Sequence, residues 1–172
     1  LPLGKKAKGD AFEELTELFF RVNEVHASQY DEVWRWAEVP EKVKQSLNLP
    51  ERDLGVDLLL RKGEEYHAVQ CKYHTDRHSS VTFQQVSTFL TLLGSNDRIT
   101  LGYVCSSANG MSINLQKVTQ NTKQIQRVLS DTWAQLDAEF FDRVRSAIAG
   151  EKPVLKPFKP RKHQKKAIAK AV

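Results

Sequence analysis

Asp57 precedes the triplet Gln70-Cys71-Lys72 by thirteen residues, and a turn-like Lys62-Gly63-Glu64-Glu65 lies midway between them. Two short apolar runs flank the turn, Val56 to Arg61 and Tyr66 to Lys72, so the segment has the grammar of a β-hairpin. With the turn centred between Gly63 and Glu64, antiparallel pairing joins positions whose numbers sum to about 127, which sets Asp57 opposite Gln70. Lys72 shares a face with Gln70, roughly 7 Å further along at ~3.3 Å per residue. A carboxylate, an amide oxygen and an ammonium thus converge at one end of a hairpin. Asp57 interrupts the apolar run Leu54-Gly55-Val56-Asp57-Leu58-Leu59-Leu60, where a carboxylate is costly to bury without a cation or hydrogen bonds. Lys72 ends the core-like Ala68-Val69-Gln70-Cys71. Two readings stand at this point: a site for cation and phosphate chemistry, or an ordinary Asp57–Lys72 ion pair at a solvated sheet end.

The elements that must position these groups follow from periodicity. Phe12, Leu15, Leu18, Phe19, Val22 and Val25 fall at helical spacing over residues 9–27, with Asp10 as candidate cap. Glu13 lies on this helix as a further carboxylate for the site. Asp10-Ala11-Phe12-Glu13 also fits a capping arrangement, a structural role for the same residue. Glu14 points about 100° away on the helical wheel. Residues 28–54 are irregular, with an extended piece at Trp34 and Trp36 and a short helix from Pro40 to Leu47. After a polar loop, His74 to Ser80, Thr82-Phe83-Gln84-Gln85 forms a capping box and Val81 with Val86 a hydrophobic staple, so a helix runs to Gly94. A strand from Ile99 to Cys105, a helix from Ile113 to Gln120, a strand from Gln124 to Leu129 and a long helix from Asp131 to Ala149 complete the pattern. Antiparallel strands followed by βαβ-type crossovers predict an α/β fold, a mixed β-sheet core flanked by helices.

The overall charge of +5 is unevenly divided. Residues 143–172 hold ten Lys or Arg against one acid, leaving sixteen basic against twenty acidic residues before them. Partner binding through the basic tail follows from this, and the main domain carries a slight negative excess. Hydrophobic content of 40% supports a real core. No run approaches the ~18 apolar residues of a membrane span, and no signal-peptide pattern opens the chain, which points to a soluble cytoplasmic protein. Cys71 and Cys105 both fall in strand-like segments and read as reduced, buried thiols. Zinc on Cys71, His74 and Cys105 lacks paired CxxC spacing, and nucleophilic catalysis by Cys71 lacks the exposed, electropositive setting a thiolate needs. Trp34, Trp36, Phe83 and Phe89 are expected to pack rather than stack on bases. The loop after Lys72 offers His74 and Arg77 for DNA phosphate. Leu1 in place of methionine, and an end at Val172 inside a helix-like pattern, suit a fragment of a longer polypeptide.

Gly9-Asp10-Ala11-Phe12-Glu13, Gly55-Val56-Asp57 and Val69-Gln70-Cys71-Lys72, in that order, resemble the PD-(D/E)xK nuclease superfamily, specifically its Mrr-like branch with glutamine in place of the second acid. The likeness extends in element order over about residues 5–130. Val56 stands where the family has proline, and Gln70 removes one negative charge from the metal site. The resemblance implies a restriction-endonuclease-like fold and a magnesium-dependent endonuclease acting on DNA. Asp57, the Gln70 side-chain oxygen and the Cys71 backbone carbonyl would offer the hard oxygen ligands, Glu13 would restore the missing charge, and Lys72 would orient water or stabilise the developing charge.

Phe158-Lys159-Pro160-Arg161-Lys162-His163-Gln164 is similar to the segment ahead of the phosphate-binding loop in superfamily 2 helicases and translocases. By that likeness Arg161 and Gln164 would contact the adenine of ATP. A basic solvated helix after a linker is the alternative. No GK[ST] loop occurs in the chain, so ATP belongs only to a motor that would follow. The combination resembles type ISP and related helicase–nuclease fusions. It implies residues 1–149 as nuclease domain and 150–172 as linker and start of a motor, with the rest of a helicase/methyltransferase polypeptide as partner and dimerisation for double-strand cleavage. The rival from another class is a catalytically silent nuclease fold serving DNA binding or assembly; a nuclease acting on RNA or on Holliday-type junctions is a third reading.

Overall fold

The computed structural model describes residues 4–50, 55–120, 124–153 and 155. In chain order it forms α1 (Lys5–Val22), α2 (Glu24–Ala27), β1 (Glu32–Arg35), a 3-10 turn at Trp36–Glu38, α3 (Glu41–Ser46), β2 (Leu58–Lys62), β3 (Glu65–Lys72), β4 (Ser80–Val81), α4 (Phe83–Ser95), β5 (Ile99–Ser106), β6 (Gly110–Met111), α5 (Ile113–Gln120), β7 (Ile125–Val128), α6 (Ser130–Ala134) and α7 (Ala138–Ile148). The expected hairpin is β2–β3, paired from Lys62↔Glu65 to Leu58↔Val69, so partner numbers do sum to 127. Gly63 supplies the turn with φ 60, a backbone region open to glycine at little cost. β1 lies antiparallel on the outer edge of β2, while β5 runs parallel to β3 and β7 parallel to β5, giving a five-stranded mixed sheet in the order β1-β2-β3-β5-β7.

Alternation along the strands feeds two cores. On one face Leu58, Leu60, Val69, Cys71, Tyr103 and Cys105 meet Phe12, Phe19 and Phe20 of α1 and Phe140 and Val144 of α7. On the other, Leu59, Ala68 and Val104 meet Val86, Phe89, Leu90 and Leu93 of α4 and Leu115 of α5. β3, hydrogen-bonded on both edges and covered on both faces, reads as a nearly continuous buried run, as an interior strand must. Gly102 lets α4 approach β5: an added Cβ would meet Leu93 Cδ1 at 2.4 Å and Ile125 Cδ1 at 2.8 Å.

Several boundaries differ from the sequence pattern. α1 starts at Lys5 with Gly4 as its cap, so Asp10 is an interior residue and the capping role considered for Glu13 falls away. It stops at Val22 because the Asn23 side chain accepts the N–H groups of Val25 and His26 and starts α2. The long helix expected over 131–149 is two helices, since Asp137 accepts the Phe140 N–H and caps α7 anew. Trp34 forms part of an edge strand, an irregular segment by propensity that pairing with β2 makes regular. The short parallel pair β4–β6, inside stretches read as loops, has too little pattern of its own to signal a strand. The Thr82/Gln85 capping box is present on both sides. Phe83 is 40% exposed, against the packing role expected of it, because the first turn of α4 faces outward. Arg161 and Gln164 lie outside the described residues, as does most of the linker. No described helix is long and apolar enough to cross a membrane.

Overfilling the α4–β5 contact should cost stability. Gly102→Val is expected to lose about 1–3 kcal/mol in urea unfolding with an unchanged slope, and a midpoint equal to the parent's would refute this account of the helix–sheet approach. A pH effect follows from His26, which packs against Phe19 and Phe20 and whose pKa burial lowers from 6.5 to about 4. Between those values the unfolded chain holds a proton that the folded chain does not, so stability falls as pH drops from 6.5 to about 4. Melting curves of His26→Phe across this window should show the acid slope reduced by close to one proton; identical slopes would exclude His26 as its source.

Candidate active site

The hairpin ladder ends at Leu58↔Val69, and Asp57 leaves it. An unbroken register would hold Asp57 against Gln70. Instead the Asp57 N–H donates to the Val69 carbonyl at 2.9 Å, and its own carbonyl accepts from Trp36 N–H at 2.9 Å. The half-buried Asp57 side chain turns back onto β3, where Oδ2 accepts the Cys71 N–H at 2.5 Å. The deviation begins at Gly55, whose φ of 78 bends the entry into β2.

Gln70 is 3% exposed, and its Oε1 is buried with no hydrogen-bond partner among the described residues. Its amide lies hard against Gly55: a Cβ there would sit 2.6 Å from Gln70 Nε2. An unpaired buried amide oxygen costs about 1–3 kcal/mol, so this arrangement fits an oxygen donor kept for a cation. Among the described residues no three His, Cys, Asp or Glu side chains are grouped to hold a metal. Any such ion would therefore depend on amide and backbone oxygens together with carboxylate, a donor set suited to hard cations and unsuited to zinc.

Lys72, half-buried, is set by the end of β5. Its carbonyl accepts the Ser106 hydroxyl at 2.7 Å and faces the Ser107 N–H at 3.4 Å. Ser106 is fully buried; its hydroxyl also accepts Ala108 N–H, and its carbonyl accepts Trp133 Nε1. The Ser-Ser pair and Gly55 are positioning residues that the search for titratable groups passes over. Glu13 is half-buried on α1, and its charge acts on the Cys71 thiol, as does that of Asp57. Glu13 is thus on the α1 side, with Cys71, whereas Gln70 points by alternation to the other face of the sheet. Burial pushes both thiols well above their ordinary pKa, which makes Cys71 and Cys105 inert packing groups, free of disulfide, as the sequence implied.

His74 and Arg77 sit in the loop beyond Lys72. Arg77 is exposed, and its carbonyl accepts Asn109 N–H at 2.7 Å, tying this loop to the one after β5. His74 is half-buried, with its ring Nδ1 2.9 Å from Ser79 Oγ. Desolvation first, then the Lys72 and Lys5 charges, lower its pKa.

Comparison with known structures places this geometry. An ATP-dependent type ISP restriction-modification enzyme, LlaBIII, bound to DNA superposes with a TM-score of 0.60 at 25% identity, over 95% of this chain and 10% of that one. The chain thus spans about a tenth of that enzyme's length. More distant likenesses are the MspJI restriction endonuclease in complex with a 27-mer oligonucleotide, with a TM-score of 0.41 and 13% identity over 97% of this chain and 40% of that one, and AF1548, a protein of unknown function, with a TM-score of 0.47 and 9% identity over 78% of each. No curated protein matches the chain. A restriction endonuclease family model, Mrr_cat_2, matches residues 21–146, a span that holds Asp57, Gln70 and Lys72 and leaves Glu13 outside. That span exceeds half of the chain, and with the mixed, helix-flanked sheet beneath it the chain belongs to the Mrr_cat_2 restriction endonuclease family.

Proposed function

We propose that this chain is a metal-dependent DNA endonuclease domain that hydrolyses phosphodiester bonds within a larger ATP-driven restriction protein. The observation that carries the reading is Gln70 Oε1, buried and without a hydrogen-bond partner among the described residues, on the same strand end whose Cys71 N–H holds the Asp57 carboxylate. Asp57, Gln70 Oε1 and the Cys71 carbonyl would hold magnesium, with Glu13 adding charge from the other face. When bound, the ion supplies charge neutralisation on the phosphate and a more acidic water. Lys72, anchored through its backbone by Ser106, presents an ammonium to the charge that builds on phosphorus oxygens. Arg77, exposed in the loop beyond Lys72, would meet the DNA backbone, whereas the His74 N–H is already spent on Ser107 and its ring Nδ1 on Ser79. The likeness to a tenth of an ATP-dependent enzyme bound to DNA supports a DNA substrate and a motor elsewhere in the polypeptide. Arg161 and Gln164 would then face ATP on that motor, and a second copy would be needed to cut both strands. Reduced, buried thiols fit a cytoplasmic setting.

One observation favours the catalytically silent alternative. The Asp57 carboxylate already accepts a backbone N–H, which is a structural role in itself.

Plasmid nicking separates the two. The parent chain should nick supercoiled DNA with magnesium and not with EDTA. Lys72→Ala should lower the rate roughly a hundred- to a thousand-fold while duplex binding by gel shift persists. Asp57→Asn should lose both nicking and magnesium-induced thermal stabilisation. A parent chain that binds DNA and never nicks it would establish the silent module, and competition by duplex, single-stranded DNA and RNA identifies the substrate.

Gly55→Ala tests the Gln70 cradle. Strain at positive φ should cost about 1–3 kcal/mol, and the displaced amide should weaken magnesium binding by titration calorimetry. A variant with parental affinity would remove Gln70 from the ligand set.

A further inference from the structure

A histidine two residues past Lys72 carries a buried ring nitrogen that has no hydrogen-bond partner among the described residues. His74 is pinned by its backbone: its N–H donates to Ser107 Oγ at 2.7 Å, and the Ser107 hydroxyl returns a bond to the His74 carbonyl at 2.9 Å. The ring is fixed by Ser79, whose Oγ lies 2.9 Å from Nδ1 and also donates to the Asp76 carbonyl at 2.6 Å. A hydroxyl has one proton, and a carbonyl only accepts. Ser79 therefore spends its proton on Asp76 and must accept from His74. This assigns the neutral imidazole its tautomer: the proton is on Nδ1 and the lone pair on Nε2. Nε2 is shielded from solvent and has no hydrogen-bond partner among the described residues. Burial first, and then the Lys72 and Lys5 ammonium charges, disfavour the cationic form of the ring, so the neutral imidazole with its lone pair is favoured.

We infer that His74 is a positioning residue for Lys72: its Nε2 accepts a hydrogen bond from the Lys72 ammonium and holds that group at the hairpin end when the site is engaged. A lysine ammonium has three donors on a flexible stem, and one bond to a fixed acceptor leaves two for phosphate and water. Backbone anchoring of both residues on Ser106 and Ser107 keeps donor and acceptor on one rigid base. The consequence for catalysis rests on the nuclease reading above; the hydrogen bond itself does not.

The test uses the full 172-residue chain labelled with 15N at histidine and lysine. Long-range proton–nitrogen spectra should show His74 protonated on Nδ1 and bare on Nε2. With a duplex oligonucleotide and calcium present, His74→Phe should shift the Lys72 Nζ resonance, assigned by its loss in Lys72→Ala, and leave Lys5 unmoved. In cleavage His74→Phe should lower kcat roughly ten- to a hundredfold with KM little changed. His74→Gln, which keeps an oxygen acceptor, should recover most of it and serves as the second probe if the Phe variant misfolds. A proton on Nε2, a Lys72 resonance indifferent to both variants, or a response in Lys5 instead would overturn the inference. If no form of the chain cleaves DNA, the nuclease reading fails while the spectra still decide the His74–Lys72 bond.

Discussion

The placement of β3 constrains everything else in this molecule. It is paired antiparallel on one edge and parallel on the other, and helices cover both of its faces. A strand so enclosed tolerates polar side chains only where the cover ends. Gln70 and Lys72 occupy that end, at the C-terminal side of the parallel strands, where loops from β3 and β5 come together. Their position is thus a consequence of burial upstream, and the apolar run from Tyr66 to Val69 is as much a part of the site's construction as the polar groups.

Backbone hydrogen bonds anchor the residues of the site. Asp57 is strapped on three sides, through its N–H to Val69, its carbonyl to Trp36 and its carboxylate to Cys71. Lys72 and His74 are held by the serines that close β5. Backbone partners cannot rotate away as long side chains do, so the functional groups start from fixed anchors. Gln70 Oε1 and His74 Nε2 differ: both are buried without a hydrogen-bond partner among the described residues, which costs stability unless a further group supplies the bond.

The two faces of the sheet divide the labour. Glu13 arrives with α1 on the Cys71 face, and Gln70 belongs to the α4 face, so a centre using both would be assembled around the strand end rather than upon one surface. With glutamine at position 70 in place of an acid, a cation held at this strand end would rest more on Asp57 and on neutral oxygens, which bind a hard cation less tightly than charged ones. Charge is divided as well, with a slight acidic excess over residues 1–142 and a basic stretch after them.

The sequence alone determined the hairpin, its register, the capping box at Thr82 and the buried thiols, because each depends on local pattern: period-two alternation, a glycine turn, a Thr-x-x-Gln cap. It also picked out Asp57, Gln70 and Lys72, since polar residues inside apolar runs stand out without any coordinates. Only the tertiary structure decided the rest. It moved the start of α1 back from Asp10 to Lys5, split the last helix at Asp137, made Trp34 an edge strand and drew Asp57 off the ladder toward Cys71. It also left Gln70 Oε1 and His74 Nε2 buried without hydrogen-bond partners among the described residues, as it did His26 Nδ1 and Arg61 Nε. Several of those outcomes depend on partners far away in the chain, such as Trp36 on Asp57 and Ser107 on His74. The break at Asp137 is local, a bond to Phe140 three residues on, but no window of neighbouring residues contains the bonds that hold Asp57 and the His74 backbone.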